Sequence, residues 1–280
     1  MKATVPAGVA GPADIVVKND KAKVWSLPFK NFTYVAEMVL IPAGEFQIGD
    51  SFNKDDVNER PVHTVYLDAF YIDKYEVTNA QYKKFIQATG HKEPEGVGYI
   101  NGTWEDGFKP WSDPDFNGDT QPVVCIIWED AKDYANWAGK GLPTEAMWEK
   151  AARGRLVGKR YPWGNTITHD DAKYADTGGK DIWEHTSPVG SFAPNGYGLY
   201  DMTGNVYEWC SDWYDENYYS GSPKSNPIGP SSGQWRVARG GLWDYGGDFA
   251  FYLRVAYRFN KDPTEAISFM GFRCVQDIPK

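Results

Sequence analysis

Two stretches of the 280-residue chain gather side chains that could do chemistry. The first, "DMTGNVYE" (201–208), sets Asp201 and Glu208 on either side of a Gly204-Asn205 turn. Hard carboxylate oxygens on a tight loop suit Ca2+, with main-chain carbonyls completing the shell. The same spacing also suits a plain turn with Glu208 paired to an arginine. The second stretch, "RGGLWDYGGDFAFYLRVAYR" (239–258), is dense in aromatics and glycines and holds no Lys, Glu, Gln or Cys. Tyr, Phe, Gly and Asp combine rigid aromatic area with adaptable polar groups, which is the chemistry of a binding face. Adjacent glycines beside Asp and Tyr make a poor buried strand, so 244–249 is expected at the surface. Alternation at Phe249, Phe251 and Leu253 also fits an inward-facing strand. Val255 and Tyr257 then read as framework, with Arg254 and Arg258 placed to pair with carboxylates.

Other reactive residues form no pattern. Cys125, Cys210 and Cys274 are odd in number and far apart, which is neither a disulfide framework nor a zinc site, and they are expected as buried thiols. His63, His91, His169 and His185 lack metal-ligand spacing, and no phosphate loop or G-x-S-x-G elbow occurs. A formal charge of -9 argues against nucleic acid as a partner. No apolar run is long enough to span a membrane. The opening "MKATVPAGVAGPADIVV" is a poor signal peptide, so a soluble chain of undetermined location is expected.

The elements that must position these residues are short. Residues 1–34 read as an N-terminal extension and 35–280 as one domain, with no linker-like stretch dividing it. "MVLIPAGEFQIGD" (38–50) has the alternation of a hairpin around Pro42-Ala43-Gly44, and 63–78 is a second β region. Thr78 or Asn79 caps a helix carrying Tyr82, Phe85 and Ile86 and stopped by Gly90. Residues 91–122 read as a long ordered loop. Ala131, Tyr134, Ala135 and Ala138 mark a second helix after Trp128. "LPTEAMWEKAARG" (142–154) marks a third, capped by Thr144. Beyond it lie turns, Trp-containing loops and short strands, which makes an α+β domain. With 12 Trp, 29 Gly and 18 Pro, the core is expected to be filled by large rings among irregular segments.

Seven segments, in order, resemble the formylglycine-generating enzyme family, whose fold is an elaborated C-type-lectin-like one. They are "MVLIPAGEF" (38–46), "YEVTNAQYKKF" (75–85), "LPTEAMWEKAARG" (142–154), "YPWGN" (161–165), "NGYGLYDMTGNVYEW" (195–209), "RVARGG" (236–241) and "GFRCV" (271–275). Met147 and Leu242 depart from the pattern, where a Glu and a Ser are usual. The resemblance implies several activities. Copper oxidases of the family hold the metal on two cysteines five residues apart. Those positions are Tyr245 and Ala250 here, so no copper is expected, since soft Cu(I) wants thiolates. Sulfoxide synthases need an extra helical domain and a histidine triad that this sequence lacks. Members without the cysteines are associated with oxidations in siderophore maturation. Diversity-generating retroelement variable proteins use the fold only to bind ligands. Their adenine-directed variation of Asn codons never yields Trp, Met, Gln, Lys or Glu, and residues 244–253 all pass that filter.

The leading expectation is therefore a non-catalytic ligand-binding protein whose partner is a protein or glycan. Its face comprises Asp244, Tyr245, Gly246, Gly247, Asp248 and Phe249, joined by Phe259, Ile267 and Phe269, over a buried layer of Trp243, Val255 and Phe272. The alternative is a divergent oxidase of the family lacking the copper cysteines. The resemblance also maps a structural calcium loop onto Asp201, Gly204, Val206 and Glu208. A second family calcium loop finds Asp181 and the Trp183 carbonyl, but Lys173 stands where an Asn ligand is expected.

Overall fold

The hairpin expected over 38–50 does not form. β1 (Met38–Ile41) and β2 (Gly44–Ile48) take their partners from the next segment: β3 (His63–Leu67) pairs antiparallel with β2, and β4 (Phe70–Asp73) with β1. Burial explains the choice. Ile41, Ile48, Val65, Leu67, Phe70 and Ile72 all enter one core. The turn at Pro42-Ala43-Gly44 separates the two ladders so that both reach it. These features come from a computed structural model that describes residues 37–52, 56–100, 102–244 and 247–278. The expected extension, 1–34, lies outside the described residues, as do Tyr245 and Gly246.

The helices follow their capping signals. In α1 (Asn79–Thr89), Thr78 and Gln81 form a reciprocal capping box and Gly90 closes the end in the left-handed region. α2 (Trp128–Trp137) buries Ala131, Tyr134 and Ala135. α3 (Glu145–Ala152) is capped by Thr144, whose Oγ1 accepts from the Met147 amide at 3.1 Å. Between α1 and α2, the stretch expected as loop contains a hairpin of β5 (Gly96–Ile100) and β6 (Thr103–Phe108). The later strands are β7 (Tyr207–Trp213), β8 (Arg236–Arg239), β9 (Phe259–Lys261), β10 (Met270–Gly271) and β11 (Val275–Asp277). β11 completes the sheet β1-β4-β11, bringing the C-terminal segment beside β4, and the other larger sheet runs β10-β7-β8-β9. Residues Gly247–Leu253 form a 3-10 helix, not a strand. The architecture is α+β. Among the described residues, no helix is long and apolar enough to cross a membrane.

A lattice of buried ion pairs joins these pieces. Arg239 on β8 reaches Glu149 of α3, which also takes two bonds from Arg153 at 2.6 and 2.9 Å. Arg258 grips Glu145 of α3 through Nε and Nη2 at 2.7 and 2.9 Å. Arg254 makes a two-pronged pair with Glu59, both bonds 2.7 Å. Burial alone would push the Glu149 carboxyl up, but Arg153 and Arg239 outweigh it and hold it below its ordinary range. Because Arg254 and Glu59 are both buried, Arg254→Met strands a carboxylate in the core. It should cost about 3–5 kcal/mol in urea unfolding, with part recovered by the double variant Arg254→Met/Glu59→Gln.

Asp212 borders the same lattice. Its Oδ2 accepts from the Glu145 amide at 3.0 Å and the Ser211 hydroxyl at 3.1 Å. Burial, and then the neighbouring Glu145, push its carboxyl from 3.8 up to about 7. The folded state therefore keeps a proton that the unfolded chain has lost. This contribution to stability is full below about pH 4 and is lost as pH rises through 7. Asp212→Asn should gain on the native protein between pH 5 and pH 8, by about 2–4 kcal/mol at most. A constant difference across that window would refute the assignment.

Candidate functional site

The segment after β8 opens the site. Trp243 is buried, its indole N–H donating to the Ser268 carbonyl at 3.3 Å, while the next residue, Asp244, is exposed. Beneath lies His185, buried between Phe116 and Trp243 with ring centroids 4.9 and 4.7 Å away. Its Nδ1 sits 3.3 Å from an Asp115 oxygen but without hydrogen-bonding geometry. At that angle the contact is electrostatic, not a formed bond. Lys173 is also buried. Partial burial pushes the Asp244 carboxyl up, His185 and Lys173 pull it down, and Asp176 pushes it up. The Tyr161 hydroxyl donates to the Ala250 carbonyl at 3.1 Å. An exposed carboxylate thus feels the field of a buried imidazole and a buried ammonium.

The expected face is only partly assembled. Asp244 is exposed, and Gly247, Asp248 and Phe249 lie in the 3-10 helix, but Tyr245 and Gly246 and the side chains of Asp248 and Phe249 fall outside the description. Phe259 is half-buried and stacks on Tyr207 at 4.4 Å. Ile267 and Phe269, expected at the surface, are instead buried, at 3% and 9% exposure. The β5–β6 hairpin is the reason. Val97 forms a parallel bridge with Ile267, the Tyr99 amide donates to Ser268 Oγ at 3.0 Å, and Trp104 meets Phe269 edge-on at 6.2 Å. The aromatic surface belongs to the hairpin: Trp104 is 57% exposed and packs 4.8 Å from Tyr99. Trp243, Val255 and Phe272 are buried as expected.

The 201–208 turn is more crowded than the sequence shows. Glu208 is fully buried. Its Oε2 accepts from Arg273 Nε at 2.7 Å and Trp148 Nε1 at 2.8 Å, and its Oε1 from Arg273 Nη2 at 2.7 Å. The arginine pairing weighed against calcium is therefore present. Yet Glu76, unnoticed in the sequence, joins Asp201 and Glu208 in one buried field with Arg273. Burial, with Asp201 and Glu208 nearby, pushes the Glu76 carboxyl well up. Asp201 is pushed up to about 6 by burial, against the Gly190 amide and Arg273. A hard dication would relieve this excess of negative charge. Asp201 and Asn205 both adopt left-handed φ, 55° and 61°, shaping the turn that carries the Gly204 and Val206 carbonyls. Oxygen donors of the kind calcium takes are present, but both Glu208 oxygens already accept from Arg273 or Trp148. Among the described residues, no three His, Cys, Asp or Glu side chains converge on a metal, so main-chain carbonyls would complete the shell. The second loop does not fit a metal, because the Lys173 ammonium stands beside Asp181.

Fold and site define an α+β protein of C-type-lectin-like type, with a buried acidic turn at 201–208. Residues 26–278 match the family described as Sulfatase-modifying factor enzyme 1-like domain, and the chain belongs to that family. It is 38% identical to a formylglycine-generating enzyme of Streptomyces coelicolor, over 85% of this chain and 88% of the relative. The structure of PvdO from Pseudomonas aeruginosa aligns with a TM-score of 0.74 at 33% identity, covering 89% of this chain and 97% of PvdO. Treponema denticola variable protein 1 aligns with a TM-score of 0.68 at 27% identity, covering 88% and 98%.

All three thiols are buried, and burial pushes each of them up, the opposite of what a thiolate ligand needs. A maleimide reagent should label none of Cys125, Cys210 and Cys274 rapidly in the native protein and all three after unfolding. One fast native thiol would show that a cysteine is open for chemistry.

Proposed function

We propose that this protein is a divergent, copper-independent oxidase of the formylglycine-generating enzyme family. The observation that carries this reading is kinship with enzymes along nearly the whole chain, combined with Tyr245 and Ala250 at the copper-cysteine positions. Asp244 takes a proton from the substrate, with His185 and the Lys173 charge below it stabilising its anionic form. The substrate then gives two electrons and its second proton to O2, Asp244 passes on the first proton, and the reduced oxygen leaves as hydrogen peroxide. Trp104 and Tyr99 flank the same 267–269 segment that Trp243 binds, and they favour an electron-rich planar ring. The rival reading is a purely ligand-binding protein, supported by the likeness to the Treponema variable protein. Burial of Ile267 and Phe269 weighs against a freely variable face there, because core positions tolerate few substitutions.

Two measurements test this reading. Oxygen uptake with a catechol-bearing peptide should persist under a copper chelator and fall at least about tenfold in Asp244→Asn, the usual scale for losing a general base. Equal uptake by native protein and variant, or copper-dependent turnover of a cysteine peptide, would overturn it.

We further infer a structural calcium ion at Asp201, the Gly204 and Val206 carbonyls and Glu208. The buried charge excess supports it. A ligand that binds only the folded state stabilises it by mass action. A calcium chelator should therefore lower the Tm of the native protein, and Asp201→Ala should remove that sensitivity. An undiminished chelator response in Asp201→Ala would reject this site.

A further inference from the structure

Lys173 is the one candidate whose surroundings fix its role. Its side chain is fully buried. Nζ donates to the Ala175 carbonyl at 2.9 Å and lies 3.3 Å from Asp181 Oδ2. Ala175 bends into the left-handed region at φ 52°, which turns its carbonyl onto the ammonium. Asp181 is held from several sides. Its Oδ2 accepts from the Tyr174 amide and its Oδ1 from the Trp183 amide, both at 3.3 Å, and His169 Nδ1 lies 3.5 Å from Oδ2. A carboxylate and a carbonyl converging on one buried point form a hard-cation cradle, and the lysine has put its own cation there. The loop then docks through the Lys173 main chain. The Asn205 amide donates to the Lys173 carbonyl at 2.9 Å, and a Cβ at Gly204 would fall 2.1 Å from that oxygen.

We infer that the Lys173 ammonium is a covalently tethered substitute for a metal ion in the 173–183 loop. The loop is thereby ordered without calcium.

The test removes the ammonium and offers an oxygen. Lys173→Asn should bind one more calcium per chain than the native protein, measured by equilibrium dialysis against calcium alone. This difference holds whether the native protein binds one ion or none, so it does not depend on the 201–208 site. The Tm of Lys173→Asn should rise with millimolar calcium in a way that the native Tm does not. Lys173→Met, which keeps the volume but supplies neither charge nor oxygen, should melt roughly 5–15 °C lower, the scale of stranding a buried carboxylate in a domain of this size, and calcium should not restore it. No extra calcium in Lys173→Asn, or failure of that variant to fold even in millimolar calcium, would overturn the inference. So would a Lys173→Met protein as stable as the native one.

Discussion

A guanidinium cannot be left alone in a core, and this chain buries Arg239, Arg254, Arg258 and Arg273. Each has to arrive with its carboxylate, because an unpaired buried charge costs several kcal/mol and a matched one roughly breaks even. The acids come from far away in sequence: Glu149 and Glu145 from α3, Glu59 from the 3-10 turn at Val57–Glu59, and Glu208 from β7. The pairing therefore decides which pieces meet. Helix α3 must lie beside β8, and the 57–59 turn must approach residues 254–258. With so little regular secondary structure, few alternative packings keep all four arginines satisfied. Two-pronged geometry, as at Arg254 and Arg258, narrows them further.

That dependence explains what the sequence could show. The helices were legible because caps and apolar spacing are local, as Thr78, Gln81 and Gly90 illustrate. The strands around Ile41 and Ile48 were legible as strands, but alternation says nothing about a partner, and the true partners lie beyond the adjacent turn. The β5–β6 hairpin was hidden by its polarity, since Glu105 and Asp106 face water on a strand that buries little. Its one signal was the Asn101-Gly102 pair, a favoured tight-turn dipeptide between two runs that could alternate. Missing it reversed the expected exposure of Ile267 and Phe269, because the hairpin is what covers them.

At the candidate site, the spacing of Asp201 and Glu208 pointed to the right turn but not to its company. Glu76 stands more than a hundred residues earlier, and Arg273 near the end, and only the folded sheets bring them together. His185 had no motif to announce it, and Lys173 stood out only as the wrong residue for a calcium ligand. Their importance comes from burial beside Trp243 and Asp181, a property of packing. The resemblance to a known family carried more of the fold than periodicity did, because short irregular segments have little periodicity to read.

The lattice also separates framework from chemistry. Tyr245 and Ala250 fall between Arg239 and Arg254, so exchanging residues there leaves both anchors in place. Lys173 and Asp181 pair with each other, and their loop meets the 204–205 turn through the Lys173 carbonyl. Residues at 245, 250 and 173 can thus differ while the core pairs stay intact. What such changes do not explain is why an imidazole should stay buried against Trp243 without a well-formed hydrogen bond to Asp115. A surface used only for contact gains nothing from that arrangement, and desolvating the ring costs free energy. A site that moves protons does gain from it. The proposed oxidase gives that imidazole a use, since it pulls the Asp244 carboxyl down.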